Sequence, residues 1–254
     1  MLADIELLKK LVVTAGDLAL KRCGTVACEY KQDLSIVTDV DRETERFLEK
    51  ELKTVYPDYA FVGEEYGWRG EEDVPVWACD PIDGTTNYFF GMPFWGVSVG
   101  LLKDGVPELG AFYMPQLQEL FWAERGKGAW CNGTRMTGMP DKDDMHLEDP
   151  ICMTSNALKT LNPNALPGRL RSFGSIASEL AYTARGNVCG IVGRHEGIVD
   201  IAATLCMCFE TGCEMRRLSD GQPVDIAALT LARRTEEPFI IAKPRKMKYL
   251  LGVL

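Results

Sequence analysis

Val76-Trp77-Ala78-Cys79-Asp80-Pro81-Ile82-Asp83-Gly84-Thr85-Thr86-Asn87-Tyr88 is the stretch from which the rest of the chain is read. An apolar run delivers Asp80 at its end, and Pro81 has no N–H to continue a regular ladder. Asp83 brings a second carboxylate three residues on, and Gly84-Thr85-Thr86 offers unhindered backbone N–H groups at a turn that can open a helix, a cradle suited to phosphate. Two carboxylates about 4 Å apart at an effective dielectric of about 20 repel by about 4 kcal/mol, so such a pair calls for a cation or a proton. With oxygen ligands alone the matching cation is Mg²⁺. Taken by itself, Asp83-Gly84 also reads as a turn that uses both residues only for their geometry.

Outward from this stretch, Ile5, Leu8, Leu11, Val12, Ala15 and Leu18 recur at helical spacing, and a second helix is expected over 41–55, stopped by Pro57. Short apolar runs at 59–62, 76–79, 94–103, 108–114, 119–124 and 128–131 read as strands, with Lys103-Asp104-Gly105 turning one into the next, so a mostly antiparallel meander is expected. The charged segment 141–149 reads as a connection. Helices at 175–184 and 200–210 and short strands near Ile151 and Ile191 follow, which together indicate layered α+β or α/β packing. Two halves, 1–140 and 150–254, are expected to close as one unit, because 254 residues amply supply a core.

Composition narrows the function classes. With 46% hydrophobic and 26% charged residues the chain folds, and 28 Lys plus Arg against 37 Asp plus Glu leave a net charge of -9. No nucleic-acid partner is expected from that field, and the basic stretch 243–248 reads as a solvated helix start. Charges at Asp4, Glu6, Lys9, Lys10 and Asp17 break up any secretory signal, and the uncharged run 84–102 is too rich in Gly and Pro to span a membrane. A cytoplasmic location follows as the expectation. Nine cysteines without an export signal are expected as free thiols, and Cys206, Cys208 and Cys213 lack both a C-x-x-C pair and a nearby His.

The string Asp80 to Tyr88 resembles the signature of the inositol monophosphatase family. Val37-Thr38-Asp39-Val40-Asp41 is similar to its V-T-x-x-D and Gly63-Glu64-Glu65 to its G-E-E, while Gly174-Ser175-Ile176-Ala177 and Asp200-Ile201-Ala202-Ala203 resemble its later motifs. The resemblance implies an α/β/α/β/α sandwich, usually a homodimer, that hydrolyses a small phosphorylated polyol or sugar with two or three Mg²⁺ and is lithium-sensitive. Carried over, Glu64, Asp80 and the Ile82 carbonyl would hold one metal, and Asp80, Asp83 and Asp200 the second. Gly84 and Thr85 would bind phosphate, with Asp83, Ser175 and Ala177 also on the substrate side. Asp41 would orient the Thr85 hydroxyl, which with Glu64 activates water. Inositol monophosphate is the substrate most in keeping with the resemblance, with fructose 1,6-bisphosphate, histidinol phosphate, other sugar or nucleotide phosphates, or a regulatory protein on the same scaffold as alternatives.

The chain departs from the family pattern in its second half. Val199 stands where Trp is usual, Thr204 where Gly is common, and Glu210-Thr211-Gly212-Cys213 replaces E-A-G-G. Just upstream, Arg194, His195 and Glu196 occupy the region where the resemblance places alcohol-recognising groups, and Arg194 is the candidate for a second phosphate or for sugar hydroxyls. A rival motif, Gly96-Val97-Ser98-Val99-Gly100, fits G-x-S-x-G, but its apolar continuation into Leu101 and Leu102 reads as strand rather than nucleophile elbow. No cysteine has an Arg six residues on, and no P-loop string occurs.

Overall fold

The computed structural model of the chain describes residues 3–31, 35–141 and 145–254. Asp4 caps α1 (Ile5–Leu20) by accepting from the Glu6 N–H, and Leu8, Leu11, Val12 and Ala15 form its buried stripe. The hairpin of β1 (Cys28–Tyr30) and β2 (Ile36–Thr38) leads into α2 (Asp39–Val55). That helix begins two residues ahead of the expected 41–55, because the Thr38 N–H and hydroxyl both donate to Asp41 Oδ2 across its first turn.

The expected meander is present. Strands β3 (Ala60–Gly63), β4 (Gly67–Arg69) and β5 (Val76–Asp83) precede the short α3 (Thr85–Phe89). Then follow β6 (Gly96–Lys103), β7 (Val106–Met114), β8 (Glu119–Glu124), β9 (Gly128–Cys131) and β10 (Thr134–Met136). They form one sheet in the order β10-β9-β8-β7-β6-β5-β3-β4, antiparallel throughout except between β3 and β5. At the β6–β7 turn Asp104 and Gly105 both take left-handed φ, 50° and 71°, the twist that a tight hairpin demands.

The second half contributes β11 (Pro150–Met153), α4 (Ser155–Leu158), β12 (Arg169–Arg171), α5 (Ile176–Arg185), β13 (Gly190–Gly193) and α6 (Ile198–Glu210). It closes with β14 (Glu214–Arg217), α7 (Ile226–Ala232), β15 (Phe239–Ala242) and α8 (Pro244–Val253). The second sheet runs β12-β11-β13-β15-β14. Strands β1, β2, β4, β10, β12, β14 and β15 lie beyond the expected set, because runs of three or four residues often carry too little periodicity to declare themselves.

Strand alternation sorts the layers. Trp77 and Cys79 pack against Leu8, Leu48 and Leu52 of α1 and α2, while Val76 and Ala78 face the opposite way, toward Leu180 and Leu205 of α5 and α6. Likewise Phe239 and Ile241 join that central core, and Ile240 and Ala242 cover Met247 and Leu250 of α8. The molecule is thus layered helix, sheet, helix, sheet, helix. The helix α6 lies directly on the first sheet: a Cβ at Gly100 would sit 2.6 Å from Ala203 N, and one at Gly110 would sit 2.1 Å from Ala203 O. Gly100 therefore serves helix docking, and Ser98 is a buried residue inside β6 with no helix following it.

Of the 141–149 connection, residues 142–144 lie outside the described residues. The 243–248 stretch does open a helix, but Lys246 is not solvated: it is buried and its ammonium bonds Asp149 at 2.8 Å. All nine cysteines are free, and Cys206, Cys208 and Cys213 are buried. Among the described residues no helix is long and apolar enough to cross a membrane.

Candidate active site

The end of β5 carries the first distinctive geometry. Asp80 pairs with Ser98 and Asp83 with Gly96, so β5 advances three residues while β6 advances two. That is a bulge, and Pro81, which has no N–H to contribute, sits inside it. Residues three apart on a regular strand face opposite sides, and the extra residue turns Asp83 back toward Asp80. The Ile82 N–H donates to Asp80 Oδ1 at 2.9 Å and holds the turn. Gly84 then takes φ +86°, and a Cβ there would meet the Phe94 carbonyl at 2.9 Å and Ser175 Cβ at 3.0 Å. The Thr85 hydroxyl lies 3.2 Å from Asp41 Oδ1 and 3.0 Å from the Ile82 carbonyl, so its single proton chooses between them.

Long-range contacts bring in the other carboxylates. Glu64 follows β3, and its turn is clamped by Glu45, whose oxygens accept from the Glu65 N–H at 2.7 Å and the Tyr66 N–H at 3.0 Å. Lys31 reaches across to Glu64 at 2.9 Å and Glu65 at 2.6 Å. Asp83 Oδ2 accepts from the Ser175 hydroxyl and from the Ala177 N–H at 3.0 Å. Asp200, on the first turn of α6, accepts from the Gly197 N–H at 2.6 Å. Asn87 donates to the carbonyls of Phe94 at 2.5 Å and Phe173 at 2.7 Å, which ties the phosphate-cradle turn to the 173–175 segment.

The resulting charge is heavily one-sided. Burial, reinforced by Glu64, Asp83 and Asp200, drives the Asp80 carboxyl well above the usual range. Burial also raises Asp83, against the Ser175 hydrogen bond that favours its charged form. Burial, with Glu64 adding repulsion, raises Asp200 to about 7, and burial raises Asp41 to about 6 and Glu45 to about 7. Lys31 remains charged because Glu64 and Glu65 outweigh its own burial.

The residues fit a divalent cation in a specific way. One oxygen each of Asp80, Asp83 and Asp200 is held by the donors just described, and among the described residues no hydrogen bond reaches the other oxygen. Among the described residues no three acidic, histidine or cysteine side chains stand gathered around one point. All the donors are oxygens, the preference of Mg²⁺ rather than of a softer metal.

A cavity of about 200 Å³ opens beside this cluster, lined by Asp83, Thr154, Ser155, Asn156, Gly174, Ser175, Ile176, Glu179, Glu196 and Asp200. Ser175 is on its wall, whereas Ala177 is not, its N–H being directed at Asp83. Arg194 is not on the wall either: the chain turns at His195, with φ +58°, and Glu196 faces the cavity instead. Val199 and Thr204 are buried in α6 and stand off the wall as well. Glu210 holds the β8–β9 turn through the Gly126 and Gly128 N–H groups at 2.8 and 2.7 Å, so the departure at 210–213 keeps a structural carboxylate.

Sequence reasoning missed Lys31, Glu45 and Glu179, whereas Glu196 lies in the segment expected to meet the alcohol. Glu45 carries a readable signal, since it lies four residues after Asp41 on the buried stripe of α2, where a charge needs partners. Lys31 and Glu179 depend on contacts across the fold.

The chain is similar to known proteins along nearly its whole length. The model of the inositol monophosphatase family matches residues 4–247. A fructose-1,6-bisphosphatase/inositol-1-monophosphatase of Aquifex aeolicus is 28% identical over 95% of this chain and 95% of its own length. A histidinol-phosphatase of Mycobacterium tuberculosis is 34% identical over 79% of this chain and 77% of its own. The solved Thermotoga maritima IMPase superposes with a TM-score of 0.83 at 27% identity, covering 98% of this chain and 95% of that one.

Proposed function

The chain belongs to the inositol monophosphatase family, whose members are phosphatases dependent on metal, generally Mg²⁺, and from that premise we propose that it hydrolyses the monophosphate ester of a small hydroxyl-bearing alcohol. Inositol monophosphate is the reference substrate, and fructose 1,6-bisphosphate and histidinol phosphate are the comparators. The bulge at Pro81 carries this reading, because it turns Asp80 and Asp83 toward one another within electrostatic reach of Glu64 and Asp200.

Mg²⁺ would be held by the free oxygens of Asp80, Asp83 and Asp200, by Glu64 and by the Ile82 carbonyl; bound there, it supplies charge neutralisation and a more acidic water. The protein's own groups do the positioning. Gly84 and Thr85 N–H groups, left without intrahelical partners at the start of α3, would bind phosphate oxygens. Asp41, fixed by the Thr38 N–H and hydroxyl, takes the Thr85 proton on Oδ1 and leaves the Thr85 lone pairs to accept from an attacking water. Glu64 is the second acceptor for that water. Such positioning of an in-line displacement supplies much of the catalysis in phosphoryl transfer. The same reading expects a homodimer and inhibition by Li⁺.

Phosphate release from the three substrates, with Mg²⁺ and with a chelator, tests the proposal. Release that needs Mg²⁺ and survives a serine-directed fluorophosphonate supports it; chelator-insensitive, fluorophosphonate-sensitive release would assign the chemistry to Ser98.

A further inference from the structure

Glu64 stands on a turn, not on a strand. Gly63 closes β3 and pairs with Gly67 of β4, so residues 64–66 reverse the chain between the two strands. Of the three backbone donors in that reversal, the Glu64 N–H reaches the Cys79 carbonyl at 3.2 Å. The other two, on Glu65 and Tyr66, both reach Glu45, at 2.7 Å on Oε2 and 3.0 Å on Oε1. One carboxylate thus holds the turn with one oxygen per donor, and among the described residues these are its only hydrogen-bond partners. Glu45 is fully buried, and β3 lies so close that a Cβ at Gly63 would overlap its carboxylate.

A leucine would pack better on this buried stripe of α2, because a buried carboxylate costs stability unless its oxygens are met. Even the isosteric amide fails here: glutamine has one acceptor oxygen and would turn its NH₂ toward the second backbone N–H, donor against donor. What the turn uses is a side chain that accepts at both ends.

The same row of α2 also serves the other group proposed to meet the attacking water. Asp41, Glu45 and Glu49 succeed one another at four-residue spacing, about 6 Å apart along the helix axis. Asp41 accepts from the Thr85 hydroxyl, Glu45 from the Glu64 turn and Glu49 from Arg69 of β4. Thr85 and Glu64, which come from different strand ends, are therefore both referred to one rigid helix.

We infer that, within the monoester hydrolysis proposed above, Glu45 is a positioning residue: through the Glu65 and Tyr66 backbone it aims the Glu64 carboxylate, and α2 sets the spacing between Glu64 and Thr85.

Glu45→Gln keeps the volume and removes one acceptor. It should lower kcat about 10²-fold while KM for the ester changes less than about threefold, the pattern of a misplaced group rather than of lost binding. Calorimetry without substrate should show Mg²⁺ binding about tenfold weaker. Amide exchange at Glu65 and Tyr66 should quicken about tenfold while β5 and β6 keep their wild-type rates, which separates a loosened turn from a loosened fold. Gly63→Ala displaces the same carboxylate without altering it and should reproduce these changes. Added to Glu64→Gln, Glu45→Gln should cost less than about threefold more, because there is no longer a Glu64 carboxylate to aim.

Unchanged Mg²⁺ binding, unchanged exchange at the turn, or a full additional loss in the Glu64→Gln background would each make Glu45 merely structural and overturn the inference. If Glu45→Gln does not fold, Gly63→Ala carries the test, and failure of both to fold overturns it too. Those results strike this inference alone, whereas wild-type protein with no Mg²⁺-dependent release from any monoester would remove the proposed function on which it rests.

Discussion

The two halves of the site are built differently. The phosphate half comes mostly from one string, Asp80 to Asn87, where a bulge, a left-handed glycine and a buried amide fix each group through neighbours a few residues away. The adjoining cavity is gathered from Thr154, Gly174, Glu179 and Glu196, which lie on separate segments of the second half of the chain. Among the described residues, each buried Asp of the first has one oxygen held by hydrogen bonds and the other not, and Glu179 of the second has a buried oxygen without a hydrogen-bond partner. Local construction makes chemistry robust to change elsewhere, and assembly from distant segments lets the adjoining cavity vary without disturbing it.

That contrast breaks most decisively at the proposed metal ligands. Asp80→Asn and Asp200→Asn should each lower kcat/KM by at least about 10³-fold, about 4 kcal/mol, with an intact circular dichroism spectrum and, without Mg²⁺, no loss of thermal stability, since each removes repulsion rather than packing. Near-normal turnover in either would contradict the assignment of the phosphate half. Thr85→Ala should cost about 10²-fold in kcat while Thr85→Ser stays close to wild type, within the range general base catalysis supplies; equal effects would show that the hydroxyl carries no role. Gly84→Ala should destabilise the fold by about 1–3 kcal/mol through its left-handed backbone and the Phe94 carbonyl 2.9 Å from the new Cβ, lowering activity in step. Denaturant titration reads the stability directly.

The smallest effect is on pH dependence. The folded values of Asp41, Glu45 and Asp200, about 6, 7 and 7, lie above those of unfolded carboxylates, so folding takes up protons. Their contribution is fully present below about pH 4 and is lost as pH rises through about 7, with Glu179 and Glu196 extending the decline to about 8. Metal-free protein should therefore melt several degrees lower at pH 8 than at pH 5, and Mg²⁺ should recover part of the difference at pH 8. A melting temperature flat across that range would show the carboxylates to be relieved by some other means.

Residue spacing made much of this legible. The pairing of Thr85 with Asp41 is implied by the family resemblance, while the strands from β5 to β9 and the helices expected at 5–18 and 41–55 follow from local periodicity. Strand β15 and the inward turn of Lys246 do not, since a short run or a lone lysine says nothing about what covers it. Arg194 illustrates the same point: sequence position placed it near the alcohol, and a left-handed backbone at His195 gave the wall to Glu196.

From the amino-acid order alone came the kind of chemistry: oxygen ligands, a phosphate cradle and an acidic balance, because carboxylates, proline and glycine at those spacings have few other uses. Only the folded chain determined which acids meet, that Lys31 neutralises Glu64, and that the pocket wall carries unpaired carboxylate. The reason is that repulsion, burial and hydrogen-bond satisfaction are properties of neighbours in space, and those neighbours come from helices and strands far apart along the chain.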